Sequence, residues 1–270
     1  MKDANEGNMK EHAPRRVPKE GIVLTLSKRG LLLALAALAS VCLSFVGASA
    51  QRKVATAAEV KRTRTADAAR HSNDAAAVLT KVMSVPDKAI PRELLEGAEA
   101  VAVCPGVLKA AFVVGGRKGD CVISRRTLKR QWGAPVFYNM AGGSFGAQIG
   151  ATKTDYVLLF MNGDALKGLM EDKFELGGEA EATAGPVGRA AGAGTTPNLK
   201  AGILTYSRSK GLFAGLSLKG VAITPDNDLN QAFYGRKASE LIASQEDTPV
   251  PSQVRAFPLA LSRYSVRMPH

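Results

Sequence analysis

The sequence predicts an α+β fold: N-terminal helices, a glycine-rich curved antiparallel β-sheet or barrel-like core, and C-terminal helices. Three observations point there. Of the 27 glycines, 23 fall between Gly97 and Gly235, a density that disfavours long helices and favours strands with tight turns and bulges. Within that region apolar runs of strand length recur, while helical spacing of apolar residues is confined to the flanks. The chain of 270 residues is 46% hydrophobic and 22% charged, an ordinary globular composition long enough to bury a core.

The elements follow in order. Lys28-Arg29, the apolar run 30–47 and Ala48-Ser49-Ala50-Gln51 supply the basic, apolar and small-residue parts of an export signal, cleaved between Ala50 and Gln51. Residues 1–50 therefore read as a targeting leader and signal peptide. An uncleaved anchor is the rival reading, and lipid attachment at Cys42 is disfavoured by the bulk of Val41. Residues 51–71, rich in Ala, Thr, Lys and Arg, read as a linker or frayed helix. Ser72-Asn73-Asp74 can cap a helix whose apolar face is Ala75, Val78, Leu79, Val82 and Met83, ended by Pro86. Pro91 opens a short helix over 92–96 and Gly97 closes it.

Strand candidates then occupy 98–104, 110–114, 121–124, 134–139, 145–151, 156–161, 174–176, 201–206, 212–218 and 221–224, with residues 115–120 as a hairpin loop between two of them. Asn162-Gly163-Asp164 starts a helical stretch over 165–171, and 226–233 and 237–244 read as helices again. Residues 72–245 form the folded domain. The segment 246–270, with Pro251, Pro258 and no sustained period, reads as a flexible tail.

Chemistry is mostly excluded. The three histidines, His12, His71 and His270, rule out an HExxH zinc site and disfavour a catalytic triad. No P-loop occurs, and Gly185-Pro186-Val187-Gly188-Arg189 lacks the strand-to-helix setting of a dinucleotide fingerprint. Ser207 and Lys210 fit S-x-x-K, but that chemistry needs both on one helical turn, whereas here they follow a strand. Glu175, Glu179 and Glu181 share parity and read as a solvated face rather than a glycosidase pair. No metal or cofactor is expected.

Charge is more informative. The chain carries +12, and removal of residues 1–50 leaves 29 basic against 20 acidic side chains, a net +9. Outside the cytoplasm such a chain meets anionic lipid, lipopolysaccharide or cell-wall polymer rather than nucleic acid. Cys104 and Cys121 either form a disulfide or remain buried thiols on neighbouring strands.

From about Ser72 to Ala243 the sequence resembles the SYLF family, also called the Ysc84 actin-binding domain. The resemblance rests on Ile90-Pro91 with Leu94-Leu95-Glu96-Gly97-Ala98, on Lys109-Ala110-Ala111-Phe112 with Gly116-Arg117, and on Gly142-Gly143-Ser144-Phe145-Gly146-Ala147-Gln148-Ile149-Gly150 with Thr154-Asp155-Tyr156. Gly177-Gly178, the stretch 206–220 (YSRSKGLFAGLSLKG) and Phe233-Tyr234-Gly235 follow in order. It implies a non-enzymatic lipid-binding domain. Eukaryotic members bind phosphoinositides, phosphatidylinositol derivatives of the cytosolic leaflet, and some bundle actin; bacterial members are commonly exported. Export would remove this chain from actin. By position, the family's membrane-contacting helix maps to residues 75–83.

The combined reading is an exported domain without catalysis. It binds anionic phospholipid or another envelope amphiphile through Lys109, Arg117, Lys118, Arg125, Arg126, Arg208 and Lys210. The alternatives are an envelope structural or interaction protein with a protein partner and, third, a cryptic hydrolase using Ser207 and Lys210 or paired carboxylates.

Overall fold

A computed structural model describes residues 56–84, 89–112, 114–145, 150–177, 182–188, 202–216, 218–246 and 249–265. The leader with its Ala50/Gln51 cleavage site, Pro86, Glu179 and Glu181 lie outside them. The described part opens with helix α1 (Ala57–Met83), capped by the Thr56 side chain, which accepts from the Glu59 N–H. From Ala57 onward the segment read as a linker or frayed helix is helix, because its Ala, Lys, Arg and Glu residues propagate a helix once it is capped. Ser72 is not a cap. It lies mid-helix and fully buried, its hydroxyl donating to the Val254 carbonyl and accepting from the Phe257 N–H.

Helix α2 (Arg92–Gly97) leads into β1 (Ala100–Phe112), β2 (Val114–Arg125), β3 (Val136–Phe145) and β4 (Gly150–Phe160). Helix α3 (Gly163–Lys167), begun by the Asn162 side chain accepting from the Ala165 N–H, and a 3-10 turn (Gly168–Met170) precede β5 (Phe174–Leu176). Strands β6 (Ala182–Ala184), β7 (Ile203–Ser209), β8 (Leu212–Gly215) and β9 (Val221–Pro225) complete the sheet. Helices α4 (Asn227–Tyr234), α5 (Ala238–Ala243) and α6 (Ala256–Ser265) end the chain. Gly235, at φ 71°, supplies the left-handed residue that stops α4.

The strands lie in the order β5-β9-β3-β2-β1-β4-β7-β6, with β8 also on β7. All pairings are antiparallel except β6 with β7. Residues 218–220 reach both edges: the Leu218 N–H donates to Ala182 of β6 and the Gly220 N–H to Leu176 of β5. The sheet is thus a nearly closed, barrel-like core, the edge groups finding partners instead of facing solvent.

Each face of the sheet has its own core. Inside, Tyr138, Met140, Leu158, Phe160, Ile203 and Ile223 pack with Leu166 and Leu169 from the α3 region and Ile242 from α5. Outside, Val101, Val103, Val122, Phe137, Leu159 and Leu204 pack beneath α1, α2, α4 and α6. Cys104 and Cys121, on β1 and β2, form a disulfide within the inner core, their Cα atoms 4.1 Å apart.

Two features depart from the sequence reading. Residues 115–120 are not a loop but belong to β2, which pairs with β1 from the Phe112–Val114 pair onward. The glycines there serve packing: a Cβ on Gly119 would lie 2.7 Å from Val107 Cγ2. The tail is not flexible between 249 and 265. Val254, Phe257 and Leu261 are fully buried in the outer core, so the domain extends past residue 245. All described residues belong to one unit, 55–270.

Candidate functional site

Beyond the two cores, β1 to β4 continue as strands made largely of Gly, Ala, Thr and Lys, with exposure alternating along 115–120. A bulge sets what this extension presents. The register of β1 shifts between Cys104 and Val107, with Gly106 at φ 55° and its N–H turned onto Asp155 Oδ1 at 2.8 Å. Past the bulge Lys109 falls opposite Arg117, while Leu108 falls between Lys118 and Lys153.

The two rows face opposite sides. Arg117 Nη1 donates to the Tyr156 hydroxyl at 3.5 Å on the inner side, and its buried Nε–H has no acceptor among the described residues. On the outer side, Asp120, in line with Lys118, lies 3.8 Å from His71 Nδ1 of α1. Lys118 and Lys153 there flank Leu108, which is 47% exposed, so two cations border an apolar side chain at cross-strand spacing.

The β7–β8 hairpin joins the same end, because Arg208 is opposite Asp155 on β4. Arg208 Nη1 is 3.5 Å from Asp155 Oδ2. Lys210 (φ 49°) and Gly211 (φ 82°) form the two-residue turn, with exposed Leu212 beyond it. Lys109, Arg117, Lys118, Lys153, Arg208 and Lys210 thus gather at one end of the sheet against Asp120 and Asp155. Lys153 is absent from the residues the sequence singles out. Its placement depends on the β1–β4 register, and no local motif marks it.

Arg125 and Arg126 are elsewhere. Arg125 ends β2, eight residues and roughly 26 Å along the strand from Arg117, and Arg126 follows it. Arg125 Nη1 donates to the Ile242 carbonyl at 2.5 Å. Arg126, 7% exposed, donates to the carbonyls of Arg130, Leu95 and Glu96, and its guanidinium lies 3.8 Å over the Trp132 ring. Burial lowers the Arg126 pKa to about 10, assisted by Arg130 and opposed by Glu99 and Glu96, so it stays charged at neutral pH. Burial also lowers that of Arg125, against the pull of Glu99. Both donate to internal carbonyls and stand apart from the basic end.

The remaining candidates separate. Ser207 lies within β7 opposite Tyr156 while Lys210 occupies the turn beyond the strand's end. Glu175 lies on β5, opposite Ala222. Among the described residues no group of three or more metal-ligating side chains converges, and no helix is long and apolar enough to cross a membrane. The apolar face mapped by resemblance to membrane contact, Ala75 to Met83, is buried in the outer core and unavailable to a bilayer.

Comparison with known proteins follows this layout. The profile of a family described as "Las17-binding protein actin regulator", Ysc84, matches residues 141–264, a span that reaches into α6. "LAS seventeen-binding protein 3" of Saccharomyces cerevisiae is 36% identical over 181 residues, 66% of this chain and 39% of that protein. "Protein YSC84" of the same yeast is 39% identical over 153 residues, 55% of this chain and 32% of its own length. The human "SH3 domain-containing YSC84-like protein 1" is 31% identical over 169 residues, 62% and 49% of the two chains. The matched part is therefore less than half the length of each of these relatives. The family profile spans the ordered motifs from Gly142 to Gly235, and with these relatives the chain is a member of the SYLF, or Ysc84, family.

Proposed function

We propose that this SYLF domain is exported, performs no catalysis, and docks by its basic end on anionic phospholipid. The observation that carries the reading is the alignment of Lys118, Leu108 and Lys153 across three adjacent strands, with Lys109, Arg117 and Lys210 at the same end. Cations bordering an exposed leucine suit a phosphate-rich surface with an apolar layer beneath it. Near such a surface each basic side chain contributes about 1 kcal/mol, falling as salt rises. The triple variant Lys109→Glu, Lys118→Glu, Lys153→Glu is therefore expected to bind vesicles containing phosphatidylglycerol at least about a hundredfold more weakly. Neutral phosphatidylcholine vesicles should bind neither form. Co-sedimentation at two salt concentrations measures both, and unchanged binding in the triple variant would overturn the docking surface.

Export rests on residues 28–51. N-terminal sequencing of the chain recovered from the periplasm of a bacterial host is expected to begin at Gln51. A chain recovered in the membrane with residues 28–47 intact would make that run an anchor.

A protein-partner reading has its own support. The yeast relative is named for binding LAS seventeen, and β8 of this chain offers an outer edge with Leu212 and Leu216 exposed. A stoichiometric partner retained without lipid, and lost in Leu212→Asp, would favour it; no such partner would count against it.

A further inference from the structure

At the end of the sheet away from the basic extension, the β2–β3 connection and α6 border an open cavity of about 400 Å³. That volume is within the range of small-ligand sites. Its wall is mixed: Arg126, Arg130 and Arg255 stand beside Trp132, Val250 and Leu259, and no carboxylate is among the lining residues.

The three arginines are differently engaged. Arg130 holds a left-handed backbone (φ 62°), which costs energy for a residue with a Cβ. In that conformation it reaches Glu99 Oε1 at 2.6 Å and the Glu96 carbonyl at 3.2 Å. Arg126 is fixed by the C-terminal carbonyls of α2 and by the Trp132 face, yet its buried Nε–H has no acceptor among the described residues. Arg255 is exposed and makes no ion pair among the described residues. Trp132 is itself pinned, its indole N–H donating to Ser265 Oγ at 2.9 Å. The wall is thus held in place by internal contacts, with one free guanidinium and one unsatisfied buried donor beside apolar surface.

A buried donor without an acceptor and an exposed guanidinium without an ion pair, both among the described residues, favour an incoming anion. The leucine and indole favour an apolar body attached to it. We infer that this cavity binds a small amphiphilic anion, a phosphate monoester or carboxylate on an apolar stem, with Arg255 and Arg126 taking the anionic group and Trp132 and Leu259 the stem. The site is independent of the lipid-docking end, and either can fail alone.

Trp132 is the chain's single tryptophan, so its emission reports on the cavity directly. Full-length mature protein would be titrated with n-octyl phosphate below its micelle concentration, with inorganic phosphate and with neutral octyl glucoside, by fluorescence and calorimetry. A saturable emission change with matching heat is expected for octyl phosphate, weaker for inorganic phosphate and absent for the glucoside. Arg255→Glu, an exposed substitution, is expected to weaken octyl phosphate binding by at least about tenfold with an unchanged melting temperature. The Lys109/Lys118/Lys153 variant should bind octyl phosphate normally. Vesicles containing phosphatidic acid separate the sources: a Trp132 response to them assigns a lipid headgroup, and a response to octyl phosphate alone assigns a free metabolite. Absence of saturable heat and emission change with octyl phosphate, equal binding of the glucoside, or undiminished affinity in Arg255→Glu would each overturn the site.

Discussion

Phe257→Ala is expected to destabilise the domain by about 3–5 kcal/mol, the usual cost of removing a buried aromatic ring and leaving a cavity. The ring is completely buried in the outer core, as are Val254 and Leu261 on either side of it in the chain. The same turn is tied to α1 through polar contacts: Ser72 Oγ takes the Phe257 N–H at 3.2 Å and donates to the Val254 carbonyl at 2.5 Å. Loss of the ring would loosen α6 from α1, so packing and hydrogen bonding should fail together. Leu259→Ala is the control. Leu259 is 60% exposed on the same helix, and its truncation should move stability by less than about 0.5 kcal/mol. Urea melts followed by circular dichroism measure both. A Phe257→Ala chain as stable as the parent would mean that α6 does not dock.

That helix shows where the sequence was hardest to read. Val254, Phe257 and Leu261 have helical spacing, but Pro251 and Pro258 lie among them and argue for an irregular tail. Pro258 is in the first turn of α6, where an N–H has no intrahelical acceptor in any case, so proline costs little there. Helices with explicit punctuation were legible: Pro91 and Gly97 bound α2, Asn162 caps α3, and Asp226 and Gly235 bound α4. The strands were legible where they cross the cores, because apolar residues mark them. Their extensions were not. Gly115 to Asp120, read as a loop, have no apolar alternation, and they are strand only because β1 and β3 pair with them on both sides.

The basic residues were visible in composition, whereas their grouping was not. Placing Lys118 and Lys153 on either side of Leu108 requires the register past the Pro105-Gly106 bulge. A one-residue shift moves every later side chain to the other face. Arg126 further shows that a basic residue beside a loop can be committed to carbonyls and an indole, which charge counting does not reveal.

Asn230 carries no signal in the sequence, and its replacement by aspartate is expected to be among the most damaging isosteric changes at neutral pH. β9 ends at Pro225, opposite Tyr138, and leaves Phe137 of β3 without a strand partner on that side. Asn230, completely buried on α4, takes that place. Its Oδ1 accepts the Phe137 N–H at 3.0 Å and its Nδ2 donates to the Phe137 carbonyl at 2.8 Å, while the Asp226 N–H reaches the same carbonyl. A carboxylate keeps the acceptor but turns a donor into a second negative oxygen facing a carbonyl, in a site without a cation among these contacts. The expected loss is about 3–5 kcal/mol, as for an uncompensated buried charge. A protonated carboxyl, by contrast, reproduces both bonds, its O–H replacing the amide N–H. The folded-state pKa of the carboxyl introduced by Asn230→Asp would accordingly be raised above the unfolded value of about 3.9. The sign follows from linkage: the difference from the parent should be small below about pH 4, where both states are protonated, and should grow with pH up to the folded-state pKa. Asn230→Ala, which orphans the Phe137 N–H at every pH, should cost about 2–4 kcal/mol with no such dependence. Paired urea melts of parent and variants between acidic and neutral pH distinguish the cases. A pH-independent deficit in Asn230→Asp would show that the strand-mimicking amide is not what Phe137 needs.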